Sequence, residues 1–285
     1  MKIELTAQKD NTLINEILTQ KPQLNYNQLK SLLRKKDIKV NQKRQKNDIF
    51  VTKNDKIEIF LQQKQKKQVE TIFEDNNILI VFKPAGMETT KQDKVFLSSD
   101  CLEDIVNFKP CHRLDKNTEG LVVFAKTEGA YNDLLTAFKK GNINKKYYAL
   151  VTGKVKSGTQ KLEDYLVKHS DKNYVEVFDS KVENSVKILT NYKVVKQFDD
   201  LFLLDIELLT GKTHQIRAHL AHHGIYVVGD NKYGNKQINK FYKKTKQQLC
   251  AYFLKFSFEN SCPLSYLNNK VFSVEPTFKI TTKTL

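Results

Sequence analysis

The sequence has few cysteines and no long apolar run, which argues against disulfide frameworks, zinc ribbons and membrane spans. Its 285 residues include only 4 cysteines, 5 prolines, 10 glycines and no tryptophan. The cysteines lie far apart without a Cys-x-x-Cys pair, and a disulfide framework is uncommon at this length. No apolar run approaches the roughly 18 residues of a membrane span, and Met1-Lys2-Ile3-Glu4 begins no apolar signal sequence. We therefore expect a cytoplasmic protein that contacts no membrane.

Arginine is also scarce, although the chain is strongly basic. There are 48 Lys+Arg against 32 Asp+Glu, a net charge of +16, which attracts polyanions such as nucleic acids. A lysine-rich composition alone explains much of this excess, so charge leaves nucleic-acid binding open. Only Arg34, Arg44, Arg113 and Arg217 are arginines. Because arginine offers a planar fork for carboxylate or phosphate that lysine lacks, each retained arginine marks a position where that fork matters.

Residues 1–62 are the more densely basic part of the chain, with 13 basic and 7 acidic side chains. The pattern predicts a helix capped by Thr12, a second helix over Asn27–Lys36 with Lys30, Arg34 and Lys35 facing outward, and three short strands. This order resembles the α-L RNA-binding motif of a ribosomal small-subunit protein and of many RNA-modifying enzymes. The resemblance implies a small RNA-binding domain over residues 1–62, whereas an ordinary solvated basic helix is the alternative. Residues 63–70 are predicted to be a linker.

Residues 71–285 mix strands and helices without strict βαβ alternation. Hairpins such as the one predicted around Phe198-Asp199-Asp200 favour an α+β fold with a mainly antiparallel or mixed central sheet flanked by helices. We predict strands and helices at the following positions: Ile78–Phe82, Leu121–Ala125, a helix over Ala130–Lys139, Tyr147–Val151, Ile188–Lys196, Leu201–Leu209, a helix capped by Thr213 that ends at His223, and Leu249–Phe258.

Three segments contain polar side chains that are candidates for catalysis or binding. Asp115 lies in a polar loop that enters a predicted buried strand, where a carboxylate can serve an active site or merely cap a turn. Arg217 shares a helix face with His214 and can hold a distant carboxylate ionised, although an ordinary surface ion pair is the alternative. Lys212 and Thr213 lie at the predicted start of that helix, a suitable site for phosphate. Tyr147 leads into a strand and can stack on a base or move a proton, or it can be a core tyrosine.

Several ordered motifs together resemble the RluA family of pseudouridine synthases. They are Phe82-Lys83-Pro84-Ala85-Gly86-Met87, His112-Arg113-Leu114-Asp115, Lys145-x-Tyr147-x-Ala149-Leu150-Val151, Thr210 to Arg217 with His219, and Gly229-Asp230-x-x-Tyr233-Gly234. The resemblance implies a pseudouridine synthase fold that converts uridine in RNA to its carbon-linked isomer without metal or organic cofactor. It assigns Asp115 as the catalytic aspartate, Tyr147 as the active-site tyrosine and Arg217 as the basic partner of the aspartate.

The resemblance also implies how this protein would handle RNA. The target uridine must leave the helical stack, and Arg113 matches the residue that helps to fill the gap left behind. We expect further RNA contacts from His112, Lys212, Thr213 and His214. Large-subunit ribosomal RNA is the expected substrate and transfer RNA the second choice, and we expect the enzyme to be a monomer.

Some positions depart from the family pattern, and two other functions compete with this interpretation. Glu119 stands where serine is usual, Thr90 near a frequent histidine, and Cys250 where histidine is frequent. A metal enzyme is one alternative, since His219 and His223 have ligand spacing, but no glutamate completes a His-Glu-x-x-His motif. The other is a catalytically inactive RNA-binding protein on the same scaffold.

Overall fold

A computed structural model describes residues 2–22, 24–61, 68–90, 101–169 and 174–278. The predicted linker covers residues 63–70, of which residues 63–67 lie outside the described ranges. The chain divides into two compact units, one comprising Met1–Gln68 and Lys91–Ile105, the other Val69–Thr90 and Val106–Leu285. None of the helices in the described part of the chain is long and apolar enough to cross a membrane.

The secondary structure is rich in strands. The strands are β1 (Lys2–Thr6), β2 (Asn11–Thr12), β3 (Ile38–Val40), β4 (Lys43–Gln45), β5 (Phe50–Val51), β6 (Lys56–Phe60), β7 (Glu70–Glu74), β8 (Ile78–Lys83), β9 (Lys109–Pro110), β10 (Glu119–Ala125), β11 (Ile143–Gly153), β12 (Thr159–His169), β13 (Tyr174–Phe178), β14 (Val186–Phe198), β15 (Leu201–Leu208), β16 (Ile225–Val227), β17 (Leu249–Phe256) and β18 (Val271–Ser273). The helices are α1 (Leu13–Gln20), α2 (Tyr26–Arg34), α3 (Leu102–Val106), α4 (Glu128–Lys140), α5 (Gln215–His222) and α6 (Lys236–Phe241), with a short 3₁₀ helix at Ser265–Leu267.

In the first unit, two helices and a small sheet share one apolar core. The sheet has the strand order β1-β6-β3-β4, and β2 pairs separately with β5. Helix α2 begins with a capping box, since the Asn25 side chain accepts from the Gln28 N–H and the Gln28 side chain accepts from the Asn25 N–H. Its inward residues Leu29 and Leu33 are buried, whereas Lys30, Arg34 and Lys35 are exposed. The two helices predicted here are therefore confirmed.

The second unit contains one large mixed sheet. Its strand order is β13-β12-β14-β15-β11-β17-β10-β8-β7, with β16 beside β11, β18 beside β17 and β9 beside β10. Strand β10 runs parallel to β17, and the other ladders among the described strands of this sheet are antiparallel. This architecture confirms the predicted α+β class.

A glycine makes the close approach of β10 and β17 possible. Gly120 has a φ of +122°, and a Cβ atom at this position would lie 2.3 Å from the backbone oxygen of Ala251. A side chain there would collide with the neighbouring strand, so only glycine fits. This close contact fixes the position of β10, the strand that directly follows the polar loop carrying Asp115.

Helix α4 covers one face of the sheet beside β8 and β10. It begins where the Thr127 side chain accepts from the Ala130 N–H, and it ends at Gly141 in the left-handed conformation. Ala130, Leu134 and Ala137 recur at helical spacing and pack into the core. The core beneath them is formed by apolar residues of β8, β10 and β17: Ile78, Ile80, Leu121, Val123, Leu254 and Phe256.

The predicted start of helix α5 was wrong. The helix begins at Gln215 after His214, which takes the left-handed conformation with a φ of 52°, and Thr213 is exposed and outside the helix. Because the left-handed backbone of His214 cannot continue a right-handed helix, His214 rather than Thr213 occupies the N-cap position, and its side chain makes no capping hydrogen bond. The Gln215 side chain holds the preceding loop, since its Oε1 accepts from the Lys212 N–H at 3.0 Å and from the Thr210 hydroxyl at 2.9 Å. Helix α5 packs against β12, β13 and β14.

Candidate active site

The polar loop between β9 and β10 presents Asp115 on a fixed backbone. The Thr89 hydroxyl bonds both sides of Leu114, accepting from its N–H at 3.1 Å and donating to its carbonyl at 3.0 Å. On the other side, the Thr118 N–H donates to the Asp115 carbonyl at 3.0 Å. The carboxylate is thus placed at the end of a buried strand, and its side chain is 26% exposed.

A buried lysine lies under the same loop. The Lys83 side chain is fully buried at the end of β8, and its Nζ donates to the carbonyls of Met87 at 2.7 Å and Lys116 at 3.1 Å. Burial lowers the pKa of Lys83 to about 8, and the nearby carboxylates of Glu88 and Asp115 oppose the shift. Because the Gly86 N–H also donates to the Lys116 carbonyl, the residue after Asp115 is held from two sides.

Arg217 joins Asp115 to a second carboxylate. Its Nη1 donates to Asp115 Oδ2 at 2.7 Å, while Nε and Nη2 donate to the two oxygens of Asp230 at 2.6 and 2.9 Å. Burial alone would lower the pKa of Arg217, but the hydrogen bonds and charges of Asp230 and Asp115 outweigh it and raise this pKa. Burial likewise opposes ionisation of Asp230, yet Arg217 holds the pKa of Asp230 below its usual value. Both groups are therefore charged at neutral pH.

Asp230 follows β16 in a tight turn that orients its carboxylate. Oδ1 accepts from the backbone N–H groups of Lys232 at 2.8 Å and Tyr233 at 3.1 Å. Gly229 precedes it with a φ of +81°, where a Cβ atom would lie 2.0 Å from the Lys246 carbonyl oxygen. The sequence marked this segment only as Gly229-Asp230-x-x-Tyr233-Gly234 and gave Asp230 no role. The isolated Asx-type turn was the only local signal for it.

Tyr147 extends from β11 toward the same carboxylate. It is 7% exposed, and burial together with the Asp115 charge raises the pKa of its hydroxyl. The hydroxyl is therefore neutral at pH 7. Within the described ranges, no hydrogen bond engages this hydroxyl, and a substrate can supply its partner. Cys250, which lies on the adjacent strand β17 and pairs with Tyr148, is fully buried, which raises the pKa of that thiol and leaves it unreactive.

The other predicted RNA contacts have different surroundings. His112 is partly buried against Phe138, with ring centroids 4.6 Å apart, and its Nε2 accepts from the Val123 N–H at 3.1 Å. Burial and then the Lys145 charge lower the pKa of His112 to about 3, so it is neutral at pH 7. By contrast, Arg113, Lys212 and Thr213 are exposed. His214 lies near the carboxylate, with Nε2 3.9 Å from Asp115 Oδ1.

The carboxylate of Glu119 is buried, and hydrogen bonds from Thr277 explain why it is tolerated there. Its oxygens accept from the Thr277 N–H at 2.7 Å and from the Thr277 hydroxyl at 2.5 Å. The side chain of the preceding residue, Thr118, accepts from Gln247. These contacts tie the first residues of β10 to two distant segments of the chain.

A cluster of histidines lies on the C-terminal half of α5. Asp164 Oδ2 bonds His219 Nε2 at 2.8 Å and His223 Nε2 at 2.6 Å, while His219 Nδ1 bonds the Thr190 hydroxyl at 2.9 Å. Asp164, His219 and His223 have their ligand atoms within 4.8 Å of one another, as do Asp164, Asp179 and His222. These nitrogen and oxygen atoms already bond one another and attach α5 to β12. The sequence had offered only His219 and His223 as metal ligands, and the structure adds the carboxylate of Asp164 as a third possible ligand.

Asp115, Arg217 and Tyr147 thus lie together as a candidate active site. The carboxylate is held by a fixed cation and lies near a neutral hydroxyl and a neutral imidazole. Such a group can act as a nucleophile or as a base, because the arginine stabilises its charge and leaves one oxygen accessible.

Comparison with known proteins places this site in a family. The family model for RNA pseudouridylate synthase matches residues 77–222. A ribosomal large subunit pseudouridine synthase C of Rickettsia felis is 33% identical over 250 residues, which are 78% of this chain and 81% of the relative. A ribosomal large subunit pseudouridine synthase D of Buchnera aphidicola is 34% identical over 209 residues, 66% of this chain and 65% of the relative.

A solved structure shows the same fold. Human RNA Pseudouridylate Synthase Domain Containing 1 matches with a TM-score of 0.59 and 21% identity, over 77% of this chain and 94% of that one. The chain therefore belongs to the RNA pseudouridylate synthase family, whose enzymes isomerise uridine to pseudouridine. The predicted family, fold and reaction are confirmed, whereas the roles of individual residues stay predictions.

Proposed function

We propose that this enzyme isomerises uridine in structured RNA of the large ribosomal subunit. The names of the relatives support this substrate, since both the synthase C and the synthase D relatives are named as ribosomal large subunit enzymes. The net charge of +16 supports binding to a polyanion of that size.

We propose that Asp115 is the catalytic carboxylate and Arg217 its partner. The observation that carries this assignment is the 2.7 Å contact between Arg217 Nη1 and Asp115 Oδ2. The fixed guanidinium stabilises the negative charge that the carboxylate needs in order to act on the ribose or the ring.

Tyr147 is proposed to stack on the extruded uracil and to help to remove the proton from its carbon 5. The raised pKa of Tyr147 excludes a phenolate at neutral pH. A neutral hydroxyl can still assist, because its oxygen accepts the carbon-5 proton while its own proton passes to solvent water. The product regains aromatic conjugation in the same step, which makes this proton transfer favourable.

The proposed RNA contacts fall into three groups. Arg113 is exposed next to the catalytic loop and is suited to fill the space of the flipped nucleotide, with His112 supporting the loop. Lys212, Thr213 and His214 precede helix α5. Lys30 and Arg34 on α2 and Lys35 directly after it are exposed, and we propose that this basic face of residues 1–62 binds RNA backbone, as in the α-L motif.

We further propose that the enzyme acts as a cytoplasmic monomer without a cofactor. The proposed catalytic residues Asp115, Tyr147 and Arg217 all come from one chain, which supports a monomer. All four cysteines are free thiols, which supports a reducing compartment. Light scattering coupled to size-exclusion chromatography tests the monomer, and a mass twice that of one chain would contradict it.

The substrate proposal is tested by mapping pseudouridines in cells that lack this gene. We expect a modified position of large-subunit ribosomal RNA to revert to uridine and to be restored by the wild-type gene. The same gene with Asp115→Asn should not restore it. Loss of a transfer RNA modification, with ribosomal RNA unchanged, would contradict the substrate and leave the reaction intact. An unchanged map would favour the inactive RNA-binding protein.

A further inference from the structure

His214 is fixed in one tautomer by a short chain of hydrogen bonds. The Val175 N–H donates to the Tyr233 hydroxyl oxygen at 2.9 Å, and His214 Nδ1 lies 3.0 Å from the same oxygen. Each donor and acceptor in this chain has a partner when the Tyr233 hydroxyl donates its own hydrogen to His214 Nδ1. The proton of a neutral imidazole then lies on Nε2. Burial, together with the charges of Arg217 and Lys232, outweighs the nearby carboxylates and lowers the pKa of His214, which favours the neutral ring.

The backbone of His214 is held in a conformation that few side chains adopt. Its φ is 52°, in the left-handed region, and its carbonyl accepts from the Ala218 N–H at 3.0 Å in the first turn of α5. Only 10% of the side chain is exposed. A non-glycine residue kept in this conformation beside a catalytic group points to a function for its side chain.

A single oxygen atom can bridge the imidazole of His214 and the carboxylate of Asp115. His214 Nε2 lies 3.9 Å from Asp115 Oδ1, which is too far for a direct hydrogen bond. An oxygen about 2.8 Å from each atom fits this separation. Asp115 Oδ2 is already bonded to Arg217, so Oδ1 is the oxygen that stays available.

The chemistry of the gap selects a hydroxyl group. The bridging atom must accept from the Nε2–H of His214 and donate to the carboxylate of Asp115. Uracil carbonyls only accept and uracil N3–H only donates. In an internal nucleotide the 3′ and 5′ oxygens are esterified, so the ribose 2′-hydroxyl is the one group of uridine that does both.

We propose that His214 and Asp115 together bind the 2′-hydroxyl of the target uridine. This inference rests on the proposed function, in which Asp115 acts on the flipped nucleotide. The bound hydroxyl orients the sugar so that its C1′–C2′ side lies against the carboxylate. Because DNA lacks this hydroxyl, the pair also favours RNA over DNA at the target position.

The variant His214→Asn removes the donor while it keeps the local structure. Asparagine tolerates the left-handed backbone, and its amide oxygen can still accept from Tyr233, but it is too short to reach the gap. His214→Gln restores an N–H near the position of Nε2. His222→Asn is the matched control, since His222 lies at the far end of α5 and bonds the exposed Asp179 at 2.7 Å.

The test compares two large-subunit RNA fragments that differ only at the target position, uridine in one and 2′-deoxyuridine in the other. Equilibrium binding and single-turnover rates are measured for each enzyme. We expect wild type, His214→Gln and His222→Asn to bind the uridine fragment about 10-fold more tightly than the deoxy fragment, the effect of one hydrogen bond. His214→Asn should bind the two fragments nearly equally. Tyr233→Phe removes the hydroxyl that fixes the His214 tautomer, so its ratio of affinities for the two fragments should be intermediate.

Two results would overturn the inference. One is an equal preference for uridine in wild type and His214→Asn, and the other is no preference in wild type, as expected if only water fills the gap. Absence of turnover by the wild type on any RNA is a different failure and would contradict the proposed function. The binding ratio is measured independently of turnover, so the two failures can be told apart.

Discussion

Arg217 and Asp230 form a two-pronged ion pair inside the protein, and this pair aims the remaining guanidinium nitrogen at Asp115. Nε and Nη2 of Arg217 are 2.6 and 2.9 Å from the two oxygens of Asp230, which is 1% exposed. The third nitrogen, Nη1, is thereby directed at the catalytic candidate. Lysine has no such fork, which accounts for an arginine here in a chain that otherwise uses lysine.

The variant Asp230→Asn tests this role. Its amide cannot accept two hydrogen bonds from Arg217, so the guanidinium loses its orientation and a buried charge loses its partner. We expect kcat to fall at least 10-fold and the free energy of unfolding to fall by about 3 kcal/mol. KM for RNA should change little because Asp230 is buried away from RNA. Asp179→Asn, which alters an exposed carboxylate, is the control. Wild-type kcat in the folded Asp230→Asn protein would refute the role.

Gly120 provides a test of how β10 is positioned. Gly120→Ala would place a Cβ atom 2.3 Å from the Ala251 carbonyl oxygen at a φ of +122°. We expect a loss of about 3 kcal/mol or more in the free energy of unfolding, or no soluble protein. Gly129→Ala is the matched control, since a Cβ atom there meets nothing within 4 Å and alanine favours helix α4. Equal stability of the two variants in urea unfolding would contradict this explanation.

His219 predicts a specific loss of stability in acid. Burial, opposed by the hydrogen bond to Asp164, lowers the pKa of His219 to about 4 from its ordinary 6.5. The unfolded chain therefore binds this proton more strongly than the folded protein between pH 6.5 and 4. Stability is complete above pH 6.5 and falls by about 1.4 kcal/mol per pH unit through this window.

The measurement is urea unfolding of wild type and His219→Asn between pH 7 and pH 4.5. We expect the wild type to lose about 2–3 kcal/mol more than the variant, which has no imidazole to protonate. His222→Asn serves as the control on the same helix. Parallel pH profiles for wild type and His219→Asn would show that this histidine does not govern the acid sensitivity.

The basic face of α2 makes a prediction about salt. Changing Lys30, Arg34 and Lys35 to glutamine should weaken RNA binding and reduce the slope of log affinity against log salt by up to about 3. Changing the exposed Lys156, Lys161 and Lys168 to glutamine removes the same charge elsewhere. If both triple variants alter the slope equally, the α2 face has no special contact with RNA.

The sequence predicted the parts of this protein that are marked by local patterns. Apolar runs predicted β8 and β10, and the ordered motifs singled out Asp115, Tyr147 and Arg217, whose roles stay predictions. Strands β12 and β13 were missed because their alternating polar residues resemble a solvated segment. The motif Gly229-Asp230-x-x-Tyr233-Gly234 was visible in the sequence, but the ion pair of Asp230 with Arg217 was not.

The remaining features depend on contacts between distant segments. Thr89 and Lys83 support the Asp115 loop from residues well before it in the chain, so no spacing in the sequence could reveal them. The start of α5 was mispredicted because His214 takes a left-handed conformation, which places the N-cap at His214 rather than at Thr213. The fixed tautomer of His214 requires Val175 and Tyr233, which only the fold brings together.

The most direct test of the central claim is tritium release from RNA labelled at carbon 5 of uridine. The wild type should release tritium from a large-subunit ribosomal RNA fragment. Asp115→Asn should release none while it still binds the RNA, because the amide cannot carry the charge that Arg217 stabilises. Release by Asp115→Asn at the wild-type rate would contradict the assignment of Asp115 as the catalytic carboxylate.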